Sequence, residues 1–355
     1  MADAPIFIVG SPRSGTGLLR DLLRSHSRLS FPPESHFIPA LYRAYGDPGT
    51  AREARRLAAA ILDGSAVRAW ELQLEPTDLD SHRSFVALAA EPYRAWADRE
   101  GKPRWGDKTP AYLPEIPLLA RLFDDAQFVH IVRDGRDVTL SQLGMSAWGP
   151  TNVVRAAEQW RSRVEGARGA GRELAPGRYC EIQYEQLATS PERTLREVCG
   201  FLGEEFEPGM LRPSRLPRWS ARHPNLSPSA WFREGYRYHV NSGSVGRWRV
   251  EMEPRDVARF EAVAADQLVE LGYPLGTDAT PLGPIPRLAW KTDDLIRRTV
   301  RMLRSPGRIR EETARRLAYT GAHLRRRLRA SRPAGRARAS SRDRSAREAP
   351  SKQKS

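Results

Sequence analysis

Cysteine is scarce: the 355 residues contain two, Cys180 and Cys199. That is too few for a disulfide framework, and the pair does not have metal-ligand spacing. Each reads as a small buried residue. Long apolar runs are also missing, since nothing approaches the roughly 18 residues that a spanning helix needs. No basic, then apolar, leader precedes the first apolar run; Met1 to Pro5 is short and carries Asp3. A reducing, cytoplasmic setting is therefore expected. Acidic charge is outnumbered, 43 Asp and Glu against 58 Lys and Arg, for a net +15. The excess is unevenly spread. From Gly321 onward ten Arg and two Lys meet only Asp343 and Glu348, which puts two-thirds of it in the last 35 residues. The length allows one large α/β domain with insertions or two smaller ones, and one domain plus a tail is the favoured reading.

What is present begins at Pro5. Ile6 to Val9 is a short apolar run of the kind a strand buried on both faces shows. Gly10 to Gly17 supply turn residues and hydroxyls, and Leu18, Leu19, Leu22 and Leu23 then fall on one helix face. Strand, glycine-rich turn and helix leave backbone N–H groups at a helix N-terminus, where the dipole favours an anion. This is a phosphate cradle. A nucleoside-triphosphatase loop would need Lys and then Ser or Thr after its second glycine. Gly10 and Gly15 have the right separation, but Thr16 stands in place of the Lys and Gly17 in place of the metal-binding hydroxyl. The positive charge sits inside the loop instead, on Arg13.

The segment Gly-Ser-Pro-Arg-Ser-Gly-Thr resembles the 5′-phosphosulfate loop of the sulfotransferases, which use 3′-phosphoadenosine 5′-phosphosulfate (PAPS). Phe128 to Ser141, a strand ending in Arg133, a turn and a helix carrying Ser141, is similar to the family's 3′-phosphate motif. The resemblance implies an α/β fold with a P-loop-type central parallel sheet flanked by helices. It implies PAPS as donor and a hydroxyl-bearing acceptor, with no metal. Ser11, Pro12, Arg13, Ser14, Gly15 and Thr16 would hold the phosphosulfate, and Arg133 and Ser141 the 3′-phosphate. Arg suits that task because its planar fork bonds two oxygens at once.

Further along, the paired prolines of Phe31-Pro-Pro-Glu34 forbid a helix. In protein-tyrosine and related bacterial sulfotransferases a Glu at this place is the proposed base, and Glu34 matches it. His36 is a rival base, and either side chain has an ordinary surface reading beside the functional one. Thr50 to Arg99 reads as a helical insertion. Its Trp70, Phe85, Tyr93 and Trp96 would line an acceptor wall or, in the favoured reading, fill the insertion's own core. Trp105 to Leu113 also resembles the family, and there Lys108 would stabilise leaving-group charge, making Glu34, Arg13 and Lys108 the catalytic set. Tyr184 closes a strand-like run, as an adenine contact or a core-edge residue. Residues 204–240 read as a long loop over the site, and Asn241 to Arg249 resembles the family's C-terminal nucleotide segment through Ser244, Gly246, Arg247 and Trp248. One departure stands out: four positions after Ser141 the protein-tyrosine enzymes carry a basic residue, whereas this chain has Met145. That weakens tyrosine as acceptor relative to sugars, lipids and small metabolites.

The reading assigns 1–275 to the core domain, with its insertion at about 50–100, and 276–286 to a linker. A basic helical extension covers 287–329 and a disordered tail 330–355. The extension has Leu295, Ile296, Val300 and Leu303 along one side and Arg on the others, the pattern of an element for an anionic membrane surface or another polyanion. A solvated appendage fits it equally. Composition after Ala330 cannot bury a core. Two other classes remain open: a P-loop kinase, against which Thr16 and Gly17 argue, and a nucleic-acid binder acting through the tail. Acceptor and oligomeric state are not legible.

Overall fold

The computed structural model describes residues 4–143, 149–212 and 242–303. Five short segments form the sheet: β1 (Ile6–Val9), β2 (Leu29–Ser30), β3 (Arg104–Lys108), β4 (Gln127–Val132) and β5 (Tyr179–Gln183). They pair in parallel in the order β2-β3-β1-β4-β5. Every residue of β1 and β4 is buried, which explains their near-continuous apolar sequence: a parallel sheet is covered on both faces. The α/β architecture with a central parallel sheet is the expected one.

Helices α1 (Thr16–Arg24), α2 (Ile38–Tyr45), α3 (Ala51–Leu62), α4 (Ser65–Arg68), α5 (Phe85–Arg99), α6 (Ile116–Leu122), α7 (Gly135–Leu143), α8 (Val153–Arg172), α9 (Tyr184–Thr189) and α10 (Pro191–Leu202) cover that sheet. After residues 213–241 come α11 (Trp248–Glu251), α12 (Pro254–Glu270) and α13 (Pro284–Leu303). On one face Phe7, Val9 and Phe128 meet the helices of the 50–99 segment. Trp70, Phe85, Tyr93 and Trp96 are all buried there, and the Tyr93 ring stacks on Trp105 with centroids 4.5 Å apart. These aromatics are core, as the favoured reading had it. On the other face Ile6, Ile8, Val129 and Ile131 pack on Leu19, Leu22 and Leu23 of α1 and on Leu195 and Val198 of α10. A third cluster joins α7, α8 and α12 through Val138, Trp160, Phe260 and Leu268.

Beyond α12 the chain stays attached. Gly276 and Thr277 donate their amides to the Glu261 carboxylate at 2.8 Å, and Leu282 N–H bonds the Ala262 carbonyl. The next helix begins at Pro284, three residues before the spacing predicts, because proline in a first turn forfeits an N–H that has no intrahelical acceptor anyway. Met145, most of the 204–240 segment and everything after Leu303 lie outside the described residues.

Candidate active site

All five strands deliver a candidate side chain to one edge of the sheet. The register pairs Ile8 with Lys108 and Val9 with His130, so the carboxyl ends of β1, β3 and β4 finish together. From there Arg13 follows β1, Glu34 follows β2, Lys108 ends β3, Arg133 follows β4 and Tyr184 follows β5. Ligands of open α/β sheets bind at this edge, where neighbouring crossovers diverge.

The loop after β1 is tightly built. Gly15 has a left-handed φ of 95° and caps α1 without any side-chain hydrogen bond. A Cβ there would lie 2.4 Å from Cδ2 of Tyr184, and one on Gly10 would lie 2.7 Å from the Ile131 carbonyl oxygen. Arg13 also takes a left-handed φ of 77°, a strained choice that turns its side chain across the site. Its Nε donates to Ser141 Oγ at 2.8 Å, and Gln142 Nε2 donates to the Pro12 carbonyl at 2.8 Å. Thr16, buried, opens α1. The hydroxyls of Ser11 and Ser14 are buried without a hydrogen-bond partner among the described residues.

Arg133 is clamped from several sides. Its guanidinium donates to the Arg13 carbonyl at 3.1 Å and to the Ser244 carbonyl, and it lies 4.5 Å over the Tyr184 ring. Tyr184, buried between Gly15 and Arg133, braces both. Ser244 thus offers its backbone to Arg133, and Gly246 and Trp248 donate amides to Asp137, each at 2.8 Å. Burial pushes the Asp137 carboxyl up, although those two amides and Arg133 oppose it. The Trp248 ring lies 3.6 Å from the Arg136 guanidinium, while Arg247 points to Glu251 at 2.6 Å. Asp137 is the tie that sequence reasoning missed. Its place in Arg133-Asp-Gly-Arg-Asp137 was visible, but the partner amides lie more than a hundred residues away.

The opposite wall is made of Glu34, His36 and Lys108. Ser35 between them is buried, its N–H bonded to Thr109 Oγ1 at 3.1 Å and its hydroxyl 2.9 Å from the Tyr112 hydroxyl. That anchor turns Glu34 and His36 outward together. Lys108, buried at the end of β3, donates to Glu34 Oε1, and His36 Nε2 lies 3.0 Å from Glu34 Oε2. His36 is in the left-handed region at φ 57°. Burial alone would raise the Glu34 carboxyl, but the Lys108 charge and the His36 and Lys108 hydrogen bonds outweigh it and hold the group well below the usual carboxylate range.

A cradle with unpartnered serine hydroxyls, on the same sheet edge as a carboxylate bonded to a lysine, agrees with the family that the two motifs resemble, and a sequence model described as the sulfotransferase family matches residues 5–208. The chain belongs to the sulfotransferase family. This sulfotransferase is 28% identical over 280 residues to protein-tyrosine sulfotransferase 2 of Gallus gallus, covering 76% of this chain and 69% of that protein. It is 29% identical over 293 residues to the nodulation protein NoeE of Sinorhizobium fredii, covering 75% and 65%. Among solved structures, the sulfotransferase domain from the curacin biosynthetic pathway superposes with a TM-score of 0.55 at 24% identity, over 77% of this chain and 99% of that one. The likeness to that domain bears on the fold. Among the described residues no group of three or more His, Cys, Asp or Glu is placed to hold a metal ion, and no helix is long and apolar enough to cross a membrane.

Proposed function

We propose that this sulfotransferase moves the sulfuryl group of PAPS to an acceptor hydroxyl by in-line displacement, with Glu34 as the base. What carries the reading is the single sheet edge from which the Glu34 and Lys108 segments and the Arg13 loop all leave. Ser11 and Ser14, buried and unpartnered, and a helix N-terminus with no side-chain cap fit a phosphate-bearing donor.

When bound, PAPS supplies an electrophilic sulfur joined to a phosphate that can leave. Lys108 and Arg13 offer positive charge to that leaving side, where negative charge grows only in the transition state. Glu34 takes the acceptor proton. While Lys108 holds it, Glu34 is a poor base. Moving Lys108 to the leaving oxygen removes the strongest lowering influence on Glu34 and leaves its burial, which raises it. One side-chain movement then serves both sides of the reaction. Arg133 and Ser141 would hold the 3′-phosphate, and Tyr184, under the Arg133 guanidinium, would keep that fork in place. Arg247 and Trp248 close the nucleotide segment. The acceptor is a sugar, lipid, small metabolite or tyrosine hydroxyl, and the names of the two relatives leave that range open.

Calorimetry tests the donor reading: 3′,5′-adenosine bisphosphate against ADP, without Mg²⁺, on the wild type and Arg133→Ala. The bisphosphate should bind and ADP should not. The variant should bind it about 10- to 100-fold more weakly, the worth of charge-assisted hydrogen bonds. Equal binding of both nucleotides would overturn the assignment and revive the kinase reading.

A further inference from the structure

An amphipathic helix on a globular domain normally turns its apolar stripe inward; α13 does the reverse. Its docked side is mainly polar, with a half-buried Trp290 packed beside the α7, α8 and α12 cluster. Asp294, buried, accepts from the Thr151 amide at 2.7 Å and the Thr151 hydroxyl at 2.8 Å. Asn152 Nδ2 donates to the Trp290 carbonyl and to Asp293, both at 3.0 Å. On the opposite side Leu288, Leu295 and Ile296 are 64%, 65% and 57% exposed, and Ile285 is 80% exposed. Thr292 and Thr299 lie among them and turn their hydroxyls back onto the Leu288 and Leu295 carbonyls. The outward face is therefore apolar with few free polar groups. Lys291 and Arg298, both exposed, lie along one edge of it, 3.7 Å from Glu158 and 3.9 Å from Asp294.

We propose that this face of α13 lies on an anionic lipid surface. Charge selects that occupant. Residues 304–355, which follow the helix, hold seventeen Lys and Arg against four Asp and Glu, a net +13 of the chain's +15. A second copy carries the same excess, so charge works against self-association along this face. A nucleic acid would take up the charge but leave the leucines in water. An anionic bilayer surface satisfies both at once, since acyl chains receive the apolar face and headgroups receive the flanking cations. The docked polar side leaves the helix lying along the surface.

The test is co-sedimentation of the full chain with vesicles of phosphatidylcholine alone or mixed with phosphatidylglycerol, over a range of salt. The wild type should bind the mixed vesicles, less at high salt, and not the neutral ones. The triple variant Leu288→Ser, Leu295→Ser, Ile296→Ser should bind at least about tenfold more weakly, given the apolar area removed. Lys291→Gln with Arg298→Gln should lose about fivefold per charge at low salt. Cooperative thermal unfolding at the wild-type temperature establishes that the variants fold. If they do not fold, hydrogen exchange on the wild type decides, with protection of α13 by mixed vesicles as the expected result. Absence of vesicle binding, or a triple variant that binds as the wild type does, would overturn the proposal. So would a concentration-dependent dimer that the triple variant abolishes without any lipid binding.

Discussion

The two walls of the site are held by different means. On the proposed donor side the buried charges have several fixed partners: Arg133 has two carbonyls and a ring, Asp137 has two amides, and Arg136 lies buried between Asp134 and Glu261. On the proposed acceptor side the anchor is the neutral Ser35, and the side chains of Glu34, His36 and Lys108 bond chiefly one another. The difference teaches what each wall must do. A donor cradle works by being complete before the donor arrives, which lowers the cost of ordering it. In the proposed reaction a base and a leaving-group cation would change partner, and one exchangeable ion pair suits that where a rigid network would not.

The largest effect should come from breaking the exchangeable side. Glu34→Gln should lower kcat by about 10²- to 10⁴-fold, the range for a general base, with bisphosphate affinity unchanged by calorimetry. A kcat within a few-fold of wild type would remove Glu34 from the chemistry and turn attention to His36. Lys108→Met should lower kcat by about 10²- to 10³-fold and also move a pH limb. In the wild type Glu34 lies well below its ordinary 4.5, so kcat/KM for the donor should show no Glu34 limb above that pH. Without Lys108 the raising effect of burial is opposed chiefly by His36, and the limb should shift to higher pH. An unmoved profile would show that Lys108 does not control the base. The smallest effect belongs to the rigid side. Gly15→Ala sets a methyl against Tyr184 at a left-handed φ and should cost about 1–3 kcal/mol of stability, read by urea unfolding, with weaker bisphosphate binding. An unchanged midpoint would mean that the donor wall is softer than its contacts suggest.

The donor wall was the more legible in sequence because its parts are local. Ile6 to Leu23 and Phe128 to Ser141 each carry strand, turn, polar group and helix within a few turns of chain, and apolar spacing alone places them. Glu34 and Lys108 were each visible as residues of interest, through Pro32-Pro33 and through Gly106 and Pro110. Their bond was not, since 74 positions separate them and only the pairing of β2 with β3 brings the two segments side by side. The insertion's aromatics were ambiguous for the same reason. Helical spacing says that Tyr93 has an apolar face, and only packing says that Trp105 fills it.

The sequence by itself determined the cradle, the loss of the metal-binding hydroxyl at Gly17, the parallel buried strands and the basic excess after Leu303. These are properties of neighbours along the chain, set by backbone preference, apolar period and charge count. Tertiary structure alone decided that Lys108 holds Glu34, that Tyr184 braces Gly15 and Arg133, and that α13 docks by its polar side. A helix's periodicity states that it has two faces. Which one turns inward depends on the partners waiting there: for α13 the amide and hydroxyl of Thr151 meet a buried Asp294 and the amide side chain of Asn152 meets Asp293 and the Trp290 carbonyl, roles that a leucine side chain could not fill.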